Sequence, residues 1–273
     1  MSASTAAAVA ACRNCGTKLH GRYCSQCGQK EAPPDPTMHD LAHEAVHEFI
    51  HLDGKLLATL KSLLLHPGQL TGEFLQGRRA RYIGPIRLYL TFSVVFFVLA
   101  ATVPKPGAGP EPGMFRISGD VNQMKGRPGQ LLRRLQKANE DPHALKAAFF
   151  ANASKAMFVL VPLFAAMLRL VYRRTGRHYP AFLYFAIHFH AFAFALLSLA
   201  VLTRLLPAWF PRDTANGIAF LGSFVYLFVA LRRVFGGLRL RTMLRLSVFL
   251  AGYLPFLLVG IATSAVIAAF TAH

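Results

Sequence analysis

Long apolar runs separated by short polar segments dominate the chain from residue 86 onward. A helix needs roughly 20 apolar residues to cross about 30 Å of hydrocarbon. By this measure the pattern predicts transmembrane helices over about 86–103, 156–172, 181–206, 217–234 and 246–270. Since a chain in lipid must satisfy its own backbone hydrogen bonds, the pattern predicts an all-α integral membrane protein with about five transmembrane helices.

The first 85 residues mix apolar and polar positions. Residues 1–11 are small and alanine-rich and are expected to be a disordered lead-in, while residues 29–37 read as a proline-rich linker. Residues 38–85 predict a cytoplasmic amphipathic helical region, with one helix ending near residue 65 and a short one over 69–77. The remainder, residues 86–273, forms the predicted transmembrane region.

The sign and the placement of the charged residues indicate what the chain is expected to bind. Only 15% of the residues are charged, and 30 Lys+Arg against 12 Asp+Glu give a formal net charge of +18. The basic residues are scattered around the apolar runs and are not gathered in one module, so nucleic acid is not an expected partner. The expected partner of this excess is the lipid bilayer, especially its anionic lipids.

Arginine placement predicts the orientation. Arginines cluster before the first apolar run, between the second and third, and between the fourth and fifth, whereas the 207–216 segment carries only Arg212. The positive-inside rule then places the N-terminus in the cytoplasm and the 104–155 loop on the extracytoplasmic side. That loop is itself basic, which is discordant, but long loops weigh less in the rule. An amphipathic helix from about Gln130 is expected to lie on the membrane face.

The chain has four cysteines, arranged as two C-x-x-C pairs: Cys12 with Cys15, and Cys24 with Cys27. Four thiolates at this spacing suit tetrahedral Zn²⁺ with no open position, which predicts a structural zinc ribbon over residues 12–28. Gly16 and Gly28 follow the pairs and permit the positive φ that each knuckle requires. The alternatives are a redox relay, a pair of disulfides, or thiols without a role.

The segment 39–51 places histidines at every fourth position and contains H-E-x-x-H twice, overlapping. In zinc peptidases of this pattern the two histidines bind the metal and the glutamate activates water. The motif therefore offers two further candidates, a second metal site and two catalytic carboxylates: His43, His47, His51, Glu44 and Glu48. The extended form of the motif is incomplete, because Leu57 stands where its third histidine would be.

Helical periodicity gives the preferred interpretation of the same segment. Residues four apart share one face of a helix, so the histidines form one stripe opposite an apolar face made by Ala42, Val46 and Phe49. This predicts an amphipathic helix on the membrane or against the bundle. A non-catalytic metal or pH-sensing stripe remains a second possibility.

Two histidines, His188 and His190, lie well inside the third apolar run. Ionisable groups at that depth face a partner or a wet cavity. Residues two apart lie on nearly opposite faces of a helix, so the pair is not expected to chelate one ion. They are either neutral histidines packed between helices, or one of them relays protons or contacts a buried ligand.

An arginine run precedes the first apolar run, with members Arg78, Arg79, Arg81 and Arg87 beside Tyr82. Clustered arginine beside tyrosine is typical of an interfacial anchor on anionic lipid. A specific head-group site is the alternative.

Taken together, the motifs C-R-N-C-G, G-R-Y-C-S-Q-C-G-Q, L-D-G-K-L-L-A-T, H-P-G and G-R-R-A-R-Y with Pro85 resemble the bacterial family called domain of unknown function 3667. The resemblance covers about residues 12–100. It implies a zinc-ribbon-headed protein of the bacterial inner membrane, and it implies no reaction.

These observations favour a non-enzymatic role, in which the ribbon and the amphipathic helix form a cytoplasmic docking module for an unidentified protein partner. Two alternatives stay open. One is a small transporter or permease component that uses His188 or His190, and the other is a membrane zinc hydrolase that uses the motif at 43–51.

Overall fold

The computed structural model describes residues 11–31, 37–38, 55–104, 126, 136, 140–207 and 209–271. Within them the chain forms seven α-helices, which we number in chain order: α1 Lys55–Leu65, α2 Gln69–Leu75, α3 Pro85–Thr102, α4 Pro142–Val171, α5 Tyr179–Leu202, α6 Arg212–Phe235 and α7 Arg239–Thr271. Single 3₁₀ turns follow α4 and α5, at Arg173–Thr175 and Thr203–Leu205. The expected all-α fold class is confirmed, since these residues contain isolated β-bridges but no strand.

Five of the helices are long and apolar enough to cross a membrane: α3, α4, α5 with its 3₁₀ extension, α6 and α7. The hydropathy pattern therefore located every span, and the chain has the character of a multi-pass membrane protein. Their outward faces carry large apolar side chains, as expected where lipid replaces water as the solvent.

The span boundaries differ from those expected. The second span begins at Pro142, so residues 142–155 are helical and do not belong to a loop. The Asp141 side chain caps this helix by accepting a hydrogen bond of 2.9 Å from the Ala144 N–H, and proline occupies the first turn. The fourth span begins at Arg212 and the fifth at Arg239, earlier than expected, because their first turns are polar and escape a hydropathy window.

Two other expected helices lie wholly or partly outside the described residues. The helix expected to end near residue 65 is described only from Lys55 onward, and the amphipathic helix expected from Gln130 is not described. The short helix expected over 69–77 is present as α2.

Helix α5 lies at the centre of the bundle. In its most apolar 18-residue stretch 61% of the residues are buried, whereas the corresponding share is 28% or less in each of the other four helices. It packs against α3, α4 and α6. Aromatic rings fill these contacts, as where Phe192 stacks on Tyr226 of α6 with centroids 3.6 Å apart. The interior positions of α5 are therefore enclosed by protein.

Helices α4 and α7 pack closely because α7 presents glycines to α4. A Cβ atom on Gly252 would lie 2.6 Å from Met167 Cε, and one on Gly260 would lie 3.1 Å from Leu160 Cδ1. Small residues at such crossings let two backbones approach in a membrane, where association depends on packing.

One end of the bundle, which we call the basic end, gathers most of the interhelical arginines. Tyr172 after α4 and Phe182 in α5 both contact Phe235 at the end of α6, with centroid distances of 5.3 and 4.7 Å. The guanidinium of Arg245 in α7 lies 4.8 Å from the centroid of the Tyr172 ring. These contacts bring the two arginine-rich connections to the same end.

The α1–α2 hairpin packs on α6 at this end. The Tyr226 hydroxyl donates a hydrogen bond of 2.7 Å to the Leu63 carbonyl, and Arg233 Nη1 donates one of 3.0 Å to the Pro67 carbonyl. Gly68 turns the chain between the helices with φ of 75°. A Cβ atom there would lie 2.9 Å from the Ala230 carbonyl oxygen, so the turn touches the α6 backbone.

Candidate metal centre and its contact with the membrane bundle

Two cysteine knuckles of the same backbone design form residues 11–31, which we call the cysteine module. In the first, Cys12 N–H donates to Thr17 O and Gly16 N–H to Cys12 O, both at 2.8 Å. In the second, Cys24 N–H donates to Gln29 O and Gly28 N–H to Cys24 O, both at 2.9 Å. The expected positive φ of both glycines is confirmed, at 78° and 70°.

The four thiol sulfurs of the module converge on one point. All lie within 4.8 Å of one another, with Cys12 Sγ 3.6 Å from Cys27 Sγ and Cys15 Sγ 3.5 Å from Cys24 Sγ. All four are free cysteines, so the disulfide alternative does not describe this structure. Four sulfurs about 2.3 Å from a tetrahedral ion would lie roughly 3.8 Å apart. The donor set therefore fits a metal ion, which the four cysteines could hold.

The surroundings favour the thiolate form of at least one ligand. Hydrogen bonds to Thr17 lower the pKa of Cys15 to about 6, and the bond to the Thr17 side chain has a larger effect than the one to its backbone. Because the thiolate is the metal-binding form, this environment suits metal binding. Cys12 and Cys24 are buried, so the centre is partly shielded from solvent.

The cysteine module contacts the bundle through Gln29, the residue after the second knuckle. Gln29 Nε2 donates a hydrogen bond of 2.6 Å to the Gly77 carbonyl. Gln29 Oε1 accepts two, each of 3.0 Å, from the N–H groups of Arg79 and Ala80. One amide side chain thus makes three hydrogen bonds to the 77–80 turn, which we call the seat.

The first knuckle contacts the same turn by packing. A Cβ atom on Gly77, whose φ is 79°, would lie 2.8 Å from Cδ of Arg13. The aliphatic part of the arginine therefore rests on this glycine. Both knuckles of the module contact the seat.

An ion pair joins the seat to α2. Arg78 Nε and Nη2 donate to the two carboxylate oxygens of Glu73, at 2.6 and 2.7 Å. The hydrogen bond from Arg78 lowers the pKa of Glu73 against the opposing effect of its partial burial. The same interaction raises the pKa of Arg78.

The four arginines expected at the lipid interface have different surroundings. Arg78 is paired with Glu73, and the Arg79 guanidinium lies 5.7 Å from the centroid of the Tyr184 ring in α5. Arg81 is exposed and Arg87 is partly buried. Arg78 and Arg79 therefore contact protein side chains, and lipid contact by the group stays a prediction.

The buried histidines of α5 have different partners. His190 Nδ1 lies 2.7 Å from the Ala186 carbonyl of its own helix. His188 Nδ1 lies 3.1 Å from Thr71 Oγ1 of α2, and the His188 ring packs edge-on against Phe74 with centroids 5.2 Å apart. His188 Nε2 is buried and has no hydrogen-bond partner among the described residues.

The histidine stripe and its candidate catalytic residues lie outside the described residues. The hydrolase hypothesis and the second metal site, with ligands His43, His47 and His51, remain sequence predictions. Within the described part of the chain, the four cysteines are the group that could hold a metal ion.

Sequence reasoning missed the contacts of Gln29 and Thr71. Gln29 was assigned to the linker, although it occupies the same place after its knuckle as Thr17 does after the first. That internal repeat could have assigned Gln29 to the second knuckle, but it does not indicate the contact with the seat. Thr71 had no signal of its own, because its partner His188 is 117 residues away.

The family model described as "Protein of unknown function (DUF3667)" matches residues 53–97, which supports membership of that family. The matched segment includes α1, α2, the seat and most of α3. No curated protein and no solved structure matches the chain.

Proposed function

We propose that this chain is a protein of the bacterial inner membrane whose zinc-held cysteine module acts as an interaction module on the cytoplasmic face. The single observation that carries the proposal is the four-sulfur cluster held against the turn that precedes the first span. Four thiolates complete the tetrahedral coordination of the ion, so the metal has a structural role and no coordination position is left for a substrate.

The composition of the site supports zinc as the ion. Four sulfur donors in tetrahedral arrangement suit Zn²⁺ or iron–sulfur chemistry, and the hard cations that prefer oxygen are disfavoured. A module of this length buries little apolar surface, so bound metal would supply much of its folding free energy. The arginines gathered at the basic end support a cytoplasmic location for the same end.

The exposed surface of the cysteine module suits a partner with acidic groups. The module carries exposed basic side chains and one aromatic ring that is 64% exposed: Arg13, Lys18, Arg22, Lys30 and Tyr23. Arginine and tyrosine are enriched at protein interfaces. Anionic lipid head groups would also find positive charge at the basic end of the bundle, where Arg81 in particular would contact them.

Metal analysis of the purified full-length protein tests the structural part of the proposal. We expect one zinc ion per chain, lost when Cys12 and Cys24 are replaced together by serine. A variant with His43→Ala and His47→Ala is the matched control and should keep its zinc. Protein without bound metal, or with zinc that survives loss of the cysteines, would contradict the proposal.

Site-specific photo-crosslinking in native membranes tests the interaction. A photo-reactive residue at position 23 should give a discrete protein adduct, and Arg22→Glu should weaken it because the charge complementarity is reversed. The partner, once identified, should bind the purified protein with zinc and lose affinity after chelation. Adducts with lipid alone would assign this face to the membrane surface instead.

One observation favours the alternative of a small transporter or permease component. Polar groups without partners are costly in a membrane interior and are often functional. His188 Nε2 has no hydrogen-bond partner within the part of the chain that the structure describes. His190 gives less support, because its Nδ1 is bonded to backbone. A His188→Gln variant that folds normally but changes solute uptake by proteoliposomes would support this alternative, and unchanged uptake would oppose it.

A further inference from the structure

The two knuckles of the cysteine module take different parts in its contact with the seat. Both knuckles end in the same backbone hydrogen bonds, but the residues that follow their glycines differ. Thr17, after the first, donates its hydroxyl to Gln26 within the module, at 3.1 Å. Gln29, after the second, directs its amide to the bundle.

The position of Gln29 depends on the second knuckle. Its carbonyl accepts the Cys24 N–H at 2.9 Å, so the backbone of Gln29 is fixed by a ligand cysteine. The Gly28 N–H closes the same loop on the Cys24 carbonyl at 2.9 Å. A metal ion that holds Cys24 and Cys27 together would therefore also fix the direction in which the Gln29 side chain leaves the module.

The seat is in turn attached to the bundle through two of its side chains. Its Arg78 is paired with Glu73 of α2, and its Arg79 lies over Tyr184, one helical turn before His188 in α5. The seat is thus held to the bundle by contacts in which the cysteines take no part. Hydrogen bonds to the seat stabilise only the ordered form of the module.

We infer that Gln29 is a positioning residue for the metal: it is no ligand, but its three hydrogen bonds to the seat set the metal affinity of the four cysteines. This inference rests on the proposed zinc site and deepens it. Metal binding and seat binding both require the ordered module, so each favours the other, and by linkage the coupling is the same in both directions.

Zinc competition with a chromophoric chelator, on full-length protein in nanodiscs, tests the inference. Gln29→Ala should weaken zinc binding roughly tenfold, the order expected when hydrogen bonds of this kind are lost. Ser25→Ala is the matched control, because Ser25 is exposed in the same knuckle and takes no part in the hydrogen bonds to the seat. Its zinc affinity should stay within twofold of the unsubstituted protein.

A change on the bundle side separates linkage from a local effect on the thiols. Gly77→Ala adds a Cβ atom at positive φ against Arg13 and alters the seat while leaving the module's sequence intact. We expect it to weaken zinc binding as well. A retained thermal unfolding transition for the bundle would show that the variant is folded.

Hydrogen exchange supplies the reverse measurement. With zinc bound, the amides of Arg79 and Ala80 should be protected by Gln29, and chelation of the metal should increase their exchange at least tenfold. In Gln29→Ala these amides should exchange fast whether or not zinc is present. Amides inside α5 should not respond and serve as the internal reference.

The outcomes separate the inference from the proposed function. Absence of bound metal in the unsubstituted protein would overturn both. One zinc ion per chain with unchanged affinity in Gln29→Ala would overturn the inference and leave the zinc module standing. An equal loss in Ser25→Ala would also count against it, because the effect would then be general to the module.

Discussion

At the scale of single residues, Glu73 and Arg78 form an ion pair between α2 and the seat. Two of the three guanidinium nitrogens, Nε and Nη2, each donate to one carboxylate oxygen, which is the geometry that makes such pairs specific. The Arg78 side chain is 35% exposed, so water screens the pair. Its contribution to stability is therefore modest, about 1 kcal/mol or less.

The lowered pKa of Glu73 makes this contribution depend on pH. The stabilisation is fully present above the ordinary glutamate pKa of about 4.3 and is lost as the pH falls through the lowered folded value. Glu73→Gln should lower the melting temperature slightly at pH 7, by a margin that shrinks below about pH 4. Thermal unfolding in detergent across pH measures this. If Arg78→Gln and the double variant do not show the same loss as Glu73→Gln, the pair is not the cause.

The sequence predicted the four ligands of the metal centre, but it did not predict the contacts around them. The thiol cluster followed from spacing, because four soft donors in two short loops have few other arrangements. The hydrogen bonds of Gln29 and the pairing of Thr71 with His188 join residues 48 or more positions apart. Nothing local in the sequence encodes such contacts.

At the scale of elements, the α1–α2 hairpin is held to α6 by hydrogen bonds from Tyr226 and Arg233 and by the close approach of Gly68. The hairpin in turn carries Thr71, which lies against His188. The fit at Gly68 thus governs how α2 meets the central helix.

Gly68→Ala should destabilise the protein by about 2 kcal/mol or more, because the new Cβ would meet the Ala230 carbonyl at positive φ. Gly72→Ala is the control, since Gly72 lies within α2 and a Cβ atom there would have open space. Its expected effect is neutral or stabilising, by the helix propensity of alanine. Thermal unfolding of the two variants compares them, and equal losses would contradict the role of the turn.

Tyr226→Phe removes the donor to the Leu63 carbonyl and leaves that buried oxygen without this bond. We expect a loss of about 1–2 kcal/mol, seen as a lower unfolding midpoint. Phe192 stacks on the same ring and should keep its contact in the variant. No change in the midpoint would mean that the hydroxyl does not hold the hairpin.

The elements themselves show where sequence reasoning stops. Apolar runs located all five spans, because lipid imposes length and hydropathy on each. The starts of α4, α6 and α7 were misplaced, since their first turns carry polar or basic residues. The Asp141-Pro142 cap was a readable start signal for α4 that hydropathy alone does not use.

At the scale of the whole molecule, five crossings by the five apolar helices of the described residues would put α1 and the C-terminal end of α7 on opposite sides of the membrane. The arginine-rich connections share one end with the cysteine module, whereas the C-terminal end of α5 and the first turn of α6 lie together at the other end. This arrangement agrees with the orientation expected from the positive-inside rule.

Reporter fusions test that orientation. Alkaline phosphatase, which is active only outside the cytoplasm, should be active when fused after Pro207 and inactive when fused after Arg177. A fluorescent protein that requires the cytoplasm should give the opposite result at both positions. The reversed pattern would place the cysteine module outside and would remove the reducing environment on which its free thiols depend.

Gln29 recognises only main-chain atoms of the seat: one carbonyl and two N–H groups. Recognition of this kind tolerates change, because almost any side chain at positions 79 and 80 leaves the N–H groups in place. Proline is the exception, since it has no N–H to donate. Ala80→Ser should therefore leave the contact intact and Ala80→Pro should break it, so related chains could carry almost any residue at position 80 except proline.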